Sequence, residues 1–241
     1  MCATPHRCVV MTGGGNANNA GATNGRNDDG FRGPIPLGFT LSFFGHSYTQ
    51  FWANNNGNIS FNNGIAAFTP SGPQGATEPI ISPFFGDVDT RALTSGVLHL
   101  RTDIANEVIV TWDAVGYFNS KANKLNSFQL VLRGPGFNVP VGEGSIGFFY
   151  KGMQWETGDA SGGSNGLGGT PGAVGFGDGA SNGDILQGSI ANGIAAIVND
   201  HHIWFDPNLQ VVGTTPAPEP ASLALLGLGL AGLGFARRRR A

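Results

Sequence analysis

Four carboxylates stand at places in the sequence where acidic side chains can do chemistry. Asp87 and Asp89 follow an apolar run and lie two positions apart, so on an extended chain their side chains point the same way. Glu156 and Asp159 lie at the start of a glycine-rich stretch. Because Ca²⁺ prefers oxygen ligands, one hypothesis is that these four residues bind calcium. The competing interpretation, which the sequence favours, is that the acids cap backbone N–H groups of turns, since neither stretch is an EF-hand or a calcium-binding repeat.

The same acids permit an enzyme hypothesis. Glycoside hydrolysis uses two carboxyl groups about 5–9.5 Å apart, so a polysaccharide-acting hydrolase would use Glu156 with Asp159 or Asp87. Acidic pairs are common in loops, and no flanking motif accompanies this one. The sequence therefore predicts a protein that is not an enzyme and keeps the hydrolase as an alternative.

The four tryptophans offer a second kind of contact, because an indole ring can stack on a sugar. Trp155 adjoins the glycine-rich stretch, and it is the predicted exposed ligand contact. Trp112 alternates with Val108 and Val110 along one face of a predicted strand, so we expect it in the core.

The composition predicts an all-β domain in residues 28–212. The chain has 40 glycines in 241 residues, and 12% of its residues are charged. Gly and Asn adopt the positive φ angles of tight turns. Apolar residues alternate along 107–112 and 127–133, and no stretch of the body keeps a helical period over ten residues. We predict an antiparallel sandwich or a partly closed barrel, with a long glycine-rich loop in 153–185 that contains a short strand at 173–176.

The charge balance excludes nucleic acid as a partner. Of the 13 lysines and arginines, four lie at 237–240, which leaves 9 basic against 16 acidic residues in the rest of the chain. Binding to nucleic acid requires basic patches. An acidic body is compatible with calcium.

Residues 221–241 predict a short transmembrane helix with a basic tail. Residues 221–235 carry no charge. A helix of about 16 residues spans roughly 24 Å, and snorkelling arginines extend its reach. By the positive-inside rule, the preceding chain would lie on the far side of the inner membrane. The basic tail consists of Arg237, Arg238, Arg239 and Arg240.

A proline-rich linker, 213–220, precedes this helix and contains the tripeptide Pro218-Glu219-Pro220. The order of tripeptide, apolar segment and terminal arginines resembles the PEP-CTERM sorting signal of Gram-negative bacteria. The resemblance implies an exported protein that is held transiently in the inner membrane. It also implies a partner, the membrane peptidase exosortase, which cuts near the tripeptide and removes the helix. An ordinary tail anchor is the alternative.

Residues 1–27 are rich in Gly, Asn and Ala and show no periodicity, so we predict that they are disordered. A signal peptide has a charged region followed by 7–15 apolar residues. The run Cys8-Val9-Val10-Met11 is too short for this role. We therefore expect the true start, with its signal peptide, to lie upstream.

Short motifs follow one another through the body of the chain. They are DDG at 28–30, PLGF at 36–39, FFG at 43–45, NNGNISF at 55–61, PFFGDVDTR at 83–91, GYF at 116–118, KLNSFQLVL at 124–132 and QWETGDASGG at 154–163. In this order they resemble the NIDO domain, the extracellular domain named after nidogen, with Gly86 where the central motif is expected to have Ala. The likeness covers about residues 28–188. It implies a secreted or surface-exposed β domain concerned with matrix contact and adhesion.

These observations lead to one functional hypothesis and two alternatives. We expect an exported, exosortase-processed surface or extracellular protein that contacts extracellular polysaccharide or cell-surface matrix without being an enzyme. The first alternative is the hydrolase that uses Glu156. The second is a purely structural secreted matrix protein.

Overall fold

The computed structural model describes residues 8–9, 25–73 and 76–216. The predicted transmembrane helix and basic tail, 221–241, lie outside the described residues, as does most of the N-terminal segment 1–27. Among the described residues, no helix is both long enough and apolar enough to cross a membrane.

The regular secondary structure of the described chain is almost entirely β-strand, which confirms the all-β prediction. A five-residue helix, α1 (Ile194–Val198), and a single 3₁₀ turn at Asp159–Ser161 interrupt the strands. In chain order the strands are β1 (Cys8–Val9), β2 (Phe31–Phe43), β3 (His46–Asn54), β4 (Asn58–Ser60), β5 (Pro79–Phe85), β6 (Leu98–Arg101), β7 (Glu107–Tyr117), β8 (Lys121–Arg133), β9 (Ile146–Lys151), β10 (Ala173–Asp178), β11 (Gly183–Ile185), β12 (His201–Phe205) and β13 (Val211–Pro216).

The strands form two antiparallel sheets. The first has the order β1-β6-β7-β8-β9-β12-β13, and the second has the order β11-β10-β5-β4-β3-β2. Within the described residues each sheet is open, with different strands at its two edges. The sandwich prediction is therefore confirmed, and its alternative, a partly closed barrel, is wrong.

Aromatic side chains fill the space between the two sheets. Trp112 of β7 and Phe128 of β8 stack with their ring centroids 5.0 Å apart. Phe84 of β5, in the other sheet, contacts Phe128 at 5.6 Å. A second cross-sheet pair, Phe148 and Phe176, lies at 5.4 Å. Such rings bury a large apolar area each, and their burial drives the two sheets together.

The alternating pattern of β7 is explained by this packing. Val108, Val110 and Trp112 are fully buried between the sheets, whereas Ile109 and Thr111 on the opposite face are half-buried. The prediction that Trp112 belongs to the core is confirmed.

Strand β5 is buried on both faces, so its sequence is apolar at every position except Ser82 instead of alternating. Its outer face belongs to a small second cluster in which Ile80, Phe85 and Ala173 pack against Ile65 and Ile190. The central strand of the second sheet is therefore shielded from water on both sides.

Two predicted boundaries shift. The predicted linker 213–220 begins inside β13, where Thr214 and Thr215 pair with Ile203 and His202 of β12. These β-branched residues suit an edge strand better than a linker. The segment 1–27, predicted to be disordered, contains β1, which pairs with β6. It also contains Arg26, whose guanidinium donates hydrogen bonds to the backbone carbonyls of residues 90, 92, 93 and 95.

Two glycines allow a direct test of how closely the turn between β3 and β4 packs against β5. Gly57 (φ +82°) and Gly38 (φ +81°) have the same left-handed backbone. A Cβ atom on Gly57 would lie 1.8 Å from the carbonyl oxygen of Phe84, whereas a Cβ atom on Gly38 would meet nothing within 4 Å. We expect Gly38→Ala to cost about 1–2 kcal/mol in the free energy of unfolding, which is the left-handed backbone term alone.

Gly57→Ala adds the overlap with Phe84 and should cost roughly 2–3 kcal/mol more than its control. Urea denaturation of the two variants measures the difference. Equal losses of stability would contradict the close packing of this turn against β5.

Candidate functional site

Three aspartates converge where the segment before β2 meets the segment after β5. The nearest carboxylate oxygens of Asp28, Asp29 and Asp87 all lie within 4.8 Å of one another. An isolated antiparallel bridge between Asp28 and Asp89 joins the two segments. Asp28 and Asp87 are 5% and 1% exposed, so their charges are held largely away from water.

Local hydrogen bonds fix the first of these segments. The side-chain oxygen of Asn27 accepts a hydrogen bond from the N–H of Gly30 at 2.7 Å, which closes an Asx-type turn around the two aspartates. The N–H of Asn27 donates to Oγ1 of Thr90 at 2.7 Å. Asp29 lies in the left-handed region, with φ 60°.

The Asn-Gly turn between β3 and β4 forms another wall of the site. The amide Nδ2 of Asn56 donates a hydrogen bond to Oδ1 of Asp29 at 2.9 Å. The amide of Asn55 donates to the backbone carbonyl of Val88, between Asp87 and Asp89. The turn that the sequence identifies as a hairpin is thus part of the acidic site.

Asp89 is engaged by protein donors. Arg91 donates to both of its carboxylate oxygens, from Nε to Oδ1 at 3.0 Å and from Nη2 to Oδ2 at 2.6 Å. The N–H of Ser120 also donates to Oδ2 at 2.7 Å. The same guanidinium nitrogen reaches Oδ2 of Asp28 at 2.7 Å. Arg91 therefore compensates Asp89 and part of the charge of Asp28.

The remaining negative charge is reflected in the pKa values. Burial, followed by the neighbouring charges of Asp29, Asp28, Asp89 and Asp159, raises the pKa of Asp87 from 3.8 to about 8. Burial, with Asp89 and Asp29, raises the pKa of Asp28 to about 7, against the lowering effect of Arg91. The carboxylates thus oppose one another's ionisation.

Glu156 and Asp159, the other two predicted ligands, have their own partners. Glu156 is buried and accepts hydrogen bonds from the N–H groups of Gly193 and Ala195, at 2.8 and 3.1 Å, where α1 begins. Asp159 forms an ion pair with Lys121. Of the four predicted ligands, the structure brings Asp87 into the acidic cluster, places Asp89 at its edge, and engages the other two elsewhere.

Trp155 lies in the core, so the prediction of an exposed stacking ring is corrected. Its side chain is fully buried, and Nε1 donates to the carbonyl of Val115 at 3.0 Å. Its ring packs against Phe84 and Tyr117, each at 5.7 Å. The indole therefore has no open face for a ligand.

The carboxylates of Asp28 and Asp29 were not among the predicted site residues. The sequence held one indication of this site, a pair of adjacent acids followed by a glycine immediately before β2. Their meeting with Asp87 depends on contacts between residues about sixty positions apart, which local pattern does not report.

Comparison with known proteins first defines the class. Residues 216–240 match the model of the PEP-CTERM protein-sorting motif. This match supports an exported protein that acts outside the cell or at its surface.

The body identifies the family. Residues 10–203 match the family model described as NIDO related. The chain belongs to this NIDO-related family, and both resemblances inferred from the sequence are confirmed.

Two curated relatives share the body. Alpha-tectorin of Gallus gallus is 32% identical over 181 residues, which covers 63% of this chain and 8% of the tectorin. Nidogen of Drosophila melanogaster is 29% identical over 117 residues, covering 38% of this chain and 9% of the nidogen. The chain thus spans less than a tenth of the length of these relatives. No solved structure matches it.

The raised pKa values predict how stability depends on pH in metal-free buffer. A carboxyl group whose pKa is raised in the folded state binds its proton more tightly there than in the unfolded state. Its contribution to stability is therefore fully present below its ordinary pKa of 3.8 and is lost as the pH rises through its folded-state pKa. We expect the melting temperature to fall by several degrees between pH 5 and pH 9, as the pH passes the pKa of Asp28 at about 7 and that of Asp87 at about 8.

The variant Asp87→Asn, which resembles the protonated form, should flatten this decline, whereas Asp184→Asn, at an exposed position on β11, should leave it unchanged. Differential scanning calorimetry across this pH range provides the measurement. A wild-type melting temperature that rises with pH would contradict the assignment.

Proposed function

We propose that this protein is an exported, exosortase-processed, non-enzymatic protein whose NIDO-related domain contacts extracellular polysaccharide or cell-surface matrix. The observation that carries the proposal is the arrangement of the chain: a NIDO-related body at 10–203 is followed directly by a PEP-CTERM sorting motif at 216–240. A sorting signal of this kind directs the body outward, and NIDO domains are concerned with matrix contact.

The engagement of the acidic residues supports a binding role over hydrolysis. Glycoside hydrolysis requires a carboxylate that is free to attack or to carry a proton. Glu156 instead accepts hydrogen bonds from two backbone N–H groups at the start of α1, and Asp159 is paired with Lys121. Their geometry favours a structural role for both side chains.

The end of the fold bears on processing. Strand β13 ends at Pro216, two residues before Pro218 of the sorting tripeptide. Strand β13 is an edge strand of the seven-stranded sheet. In the proposed pathway, exosortase therefore acts within a few residues of the folded domain, and the released domain keeps all of its described strands.

The processing step can be tested by intact mass. In the native host, the protein recovered from the envelope or medium should lack the segment that follows about Pro218. We expect Glu219→Gln to accumulate with its arginine tail, because the variant loses the carboxylate of the sorting tripeptide. Asp184→Asn removes one exposed carboxylate from the body and should be processed like the wild type. A wild-type mass that retains Arg237 to Ala241 would contradict processing and indicate an ordinary tail anchor.

Matrix contact requires a separate measurement on the mature protein recovered from the same source. We expect it to co-sediment with exopolysaccharide purified from the producing cells or to bind washed cells. Binding to neither would favour the purely structural alternative. Release of reducing ends from the polysaccharide, abolished by Glu156→Gln, would instead support the hydrolase.

A further inference from the structure

The acidic cluster contains oxygen atoms that no group of the described chain satisfies. Oδ1 of Asp28 and Oδ2 of Asp87 are buried and accept no hydrogen bond from the described chain. Buried polar atoms are normally paired, and an unpaired one near other negative charges is particularly unfavourable. These two oxygens belong to residues whose carboxylates converge within 4.8 Å.

An amide next to the acids also has a buried oxygen without a partner in the described chain. Asn56 is 1% exposed, and its Nδ2 atom donates to Asp29, so the amide group lies against the cluster. Its Oδ1 atom is buried and accepts no hydrogen bond from the part of the chain that the structure describes. A neutral side chain that offers an unused carbonyl oxygen beside three carboxylates completes a mixed set of oxygen donors.

The surrounding charges leave the cluster incompletely neutralised. Arg91 is ion-paired with Asp28 and Asp89. Asp29 and Asp87 have no ion-pair partner among the residues that the structure describes. The nearby ammonium group of Lys121 is paired with Asp159.

We propose that Asp28, Asp29 and Asp87, together with the amide oxygen of Asn56, bind one Ca²⁺ ion. The unpaired oxygens coordinate the ion, and its charge offsets the uncompensated negative charge. The ion also joins three segments: the entry to β2, the turn between β3 and β4, and the chain that follows β5. This site is independent of matrix contact and of processing by exosortase.

The donor set determines the choice of metal. All four groups offer oxygen, which suits hard cations, whereas structural zinc is held by nitrogen and sulfur. Ca²⁺ takes six to eight oxygen ligands in flexible geometry, and carboxylates with a side-chain carbonyl match that preference. Mg²⁺ requires near-ideal octahedral geometry and gives up its water reluctantly. Extracellular calcium modules bind with dissociation constants of about 10⁻⁴–10⁻³ M, and we expect this range here.

The chain is closely fitted around the central carboxylate. A Cβ atom on Gly158 would lie 2.2 Å from Oδ2 of Asp87, so a residue with a side chain there would force the carboxylate to move. Gly86, just before Asp87, lies against the indole of Trp155, because a Cβ atom there would be 3.2 Å from the ring. Trp155 is therefore close enough to the site to serve as its spectroscopic reporter.

The test uses the full-length chain, purified in detergent and stripped with EDTA. Titration with CaCl₂ in a calorimeter should show one ion per chain. At a hundredfold excess over the dissociation constant, we expect the melting temperature to rise by about 5–10 °C. MgCl₂ at the same concentration should produce a clearly smaller shift. An equal shift with Mg²⁺ would overturn the assignment to calcium.

Two variants locate the ion, and a third variant serves as the control. Asp87→Asn and Asp29→Asn each replace a ligand by a neutral group of the same shape, and both should weaken Ca²⁺ binding at least tenfold. Asn tolerates the left-handed backbone of position 29, so Asp29→Asn decides the question if Asp87→Asn does not fold. Asp184→Asn, on the exposed strand β11, should bind Ca²⁺ like the wild type.

Terbium provides a readout that depends on position. Tb³⁺ replaces Ca²⁺ at oxygen sites, and excitation of Trp155 should sensitise its emission because the ring is near Asp87. Added CaCl₂ should quench the emission by competition, and Asp29→Asn should abolish it. The proposal is overturned if the folded wild type shows neither heat, thermal shift nor Ca²⁺-competed Tb³⁺ emission, or if both aspartate variants bind Ca²⁺ like the control.

Discussion

The architecture depends on the burial of a hairpin turn. The turn 55–57, which joins β3 to β4, and the strand residues on either side of it carry four asparagines and one glycine, and each asparagine is at most 1% exposed. Buried peptide groups must find hydrogen-bond partners. The indole Nε1 of Trp112 donates to the backbone carbonyl of Asn55 at 3.0 Å, which joins the turn to the opposite sheet. Asn54 donates to Asn58 and to Ser60, at 2.7 and 3.0 Å, and satisfies the turn from within.

The same turn couples the core to the acidic site. Asn56 donates to Asp29 and to the carbonyl of Ala67, at 2.9 and 3.1 Å, while Gly57 packs under the backbone of Phe84. Strand β5 then leads directly to Asp87. Because the turn is locked on one side by the core and on the other by the acids, the carboxylates cannot separate to relieve their repulsion without disturbing the contact between the sheets. The raised pKa of Asp87 results from its burial and from the neighbouring carboxylates that this arrangement holds close to it.

The sequence predicts those features that depend on short-range pattern. The alternation along β7 and β8 predicts strands because one face of each strand packs against the other sheet. The Asn-Gly pair within 54–58 predicts a hairpin because Asn and Gly favour positive φ angles. Whether the outer strands close into a barrel is not encoded in alternation, and that alternative was wrong. The acidic site is assembled from Asp28 and Asp87, which lie far apart in the chain, so Asp87 could be named from the sequence as a candidate metal ligand, whereas Asp28 and Asp29 could not.

The glycine-rich stretch shows why composition alone misplaces a residue such as Trp155. Many glycines in sequence suggest an open loop, and an aromatic ring beside them then suggests an exposed platform. In the structure, these glycines allow the backbone to approach bulky groups closely. A Cβ atom on Gly166 would lie 2.9 Å from Cβ of Trp155, and the N–H of Glu156 donates to the carbonyl of Gly166 at 2.7 Å. The stretch is therefore packed closely against Cβ of Trp155. Gly158 and Gly166 allow the chain to lie close to Asp87 and Trp155, where the Cβ atom of a larger residue would overlap with them.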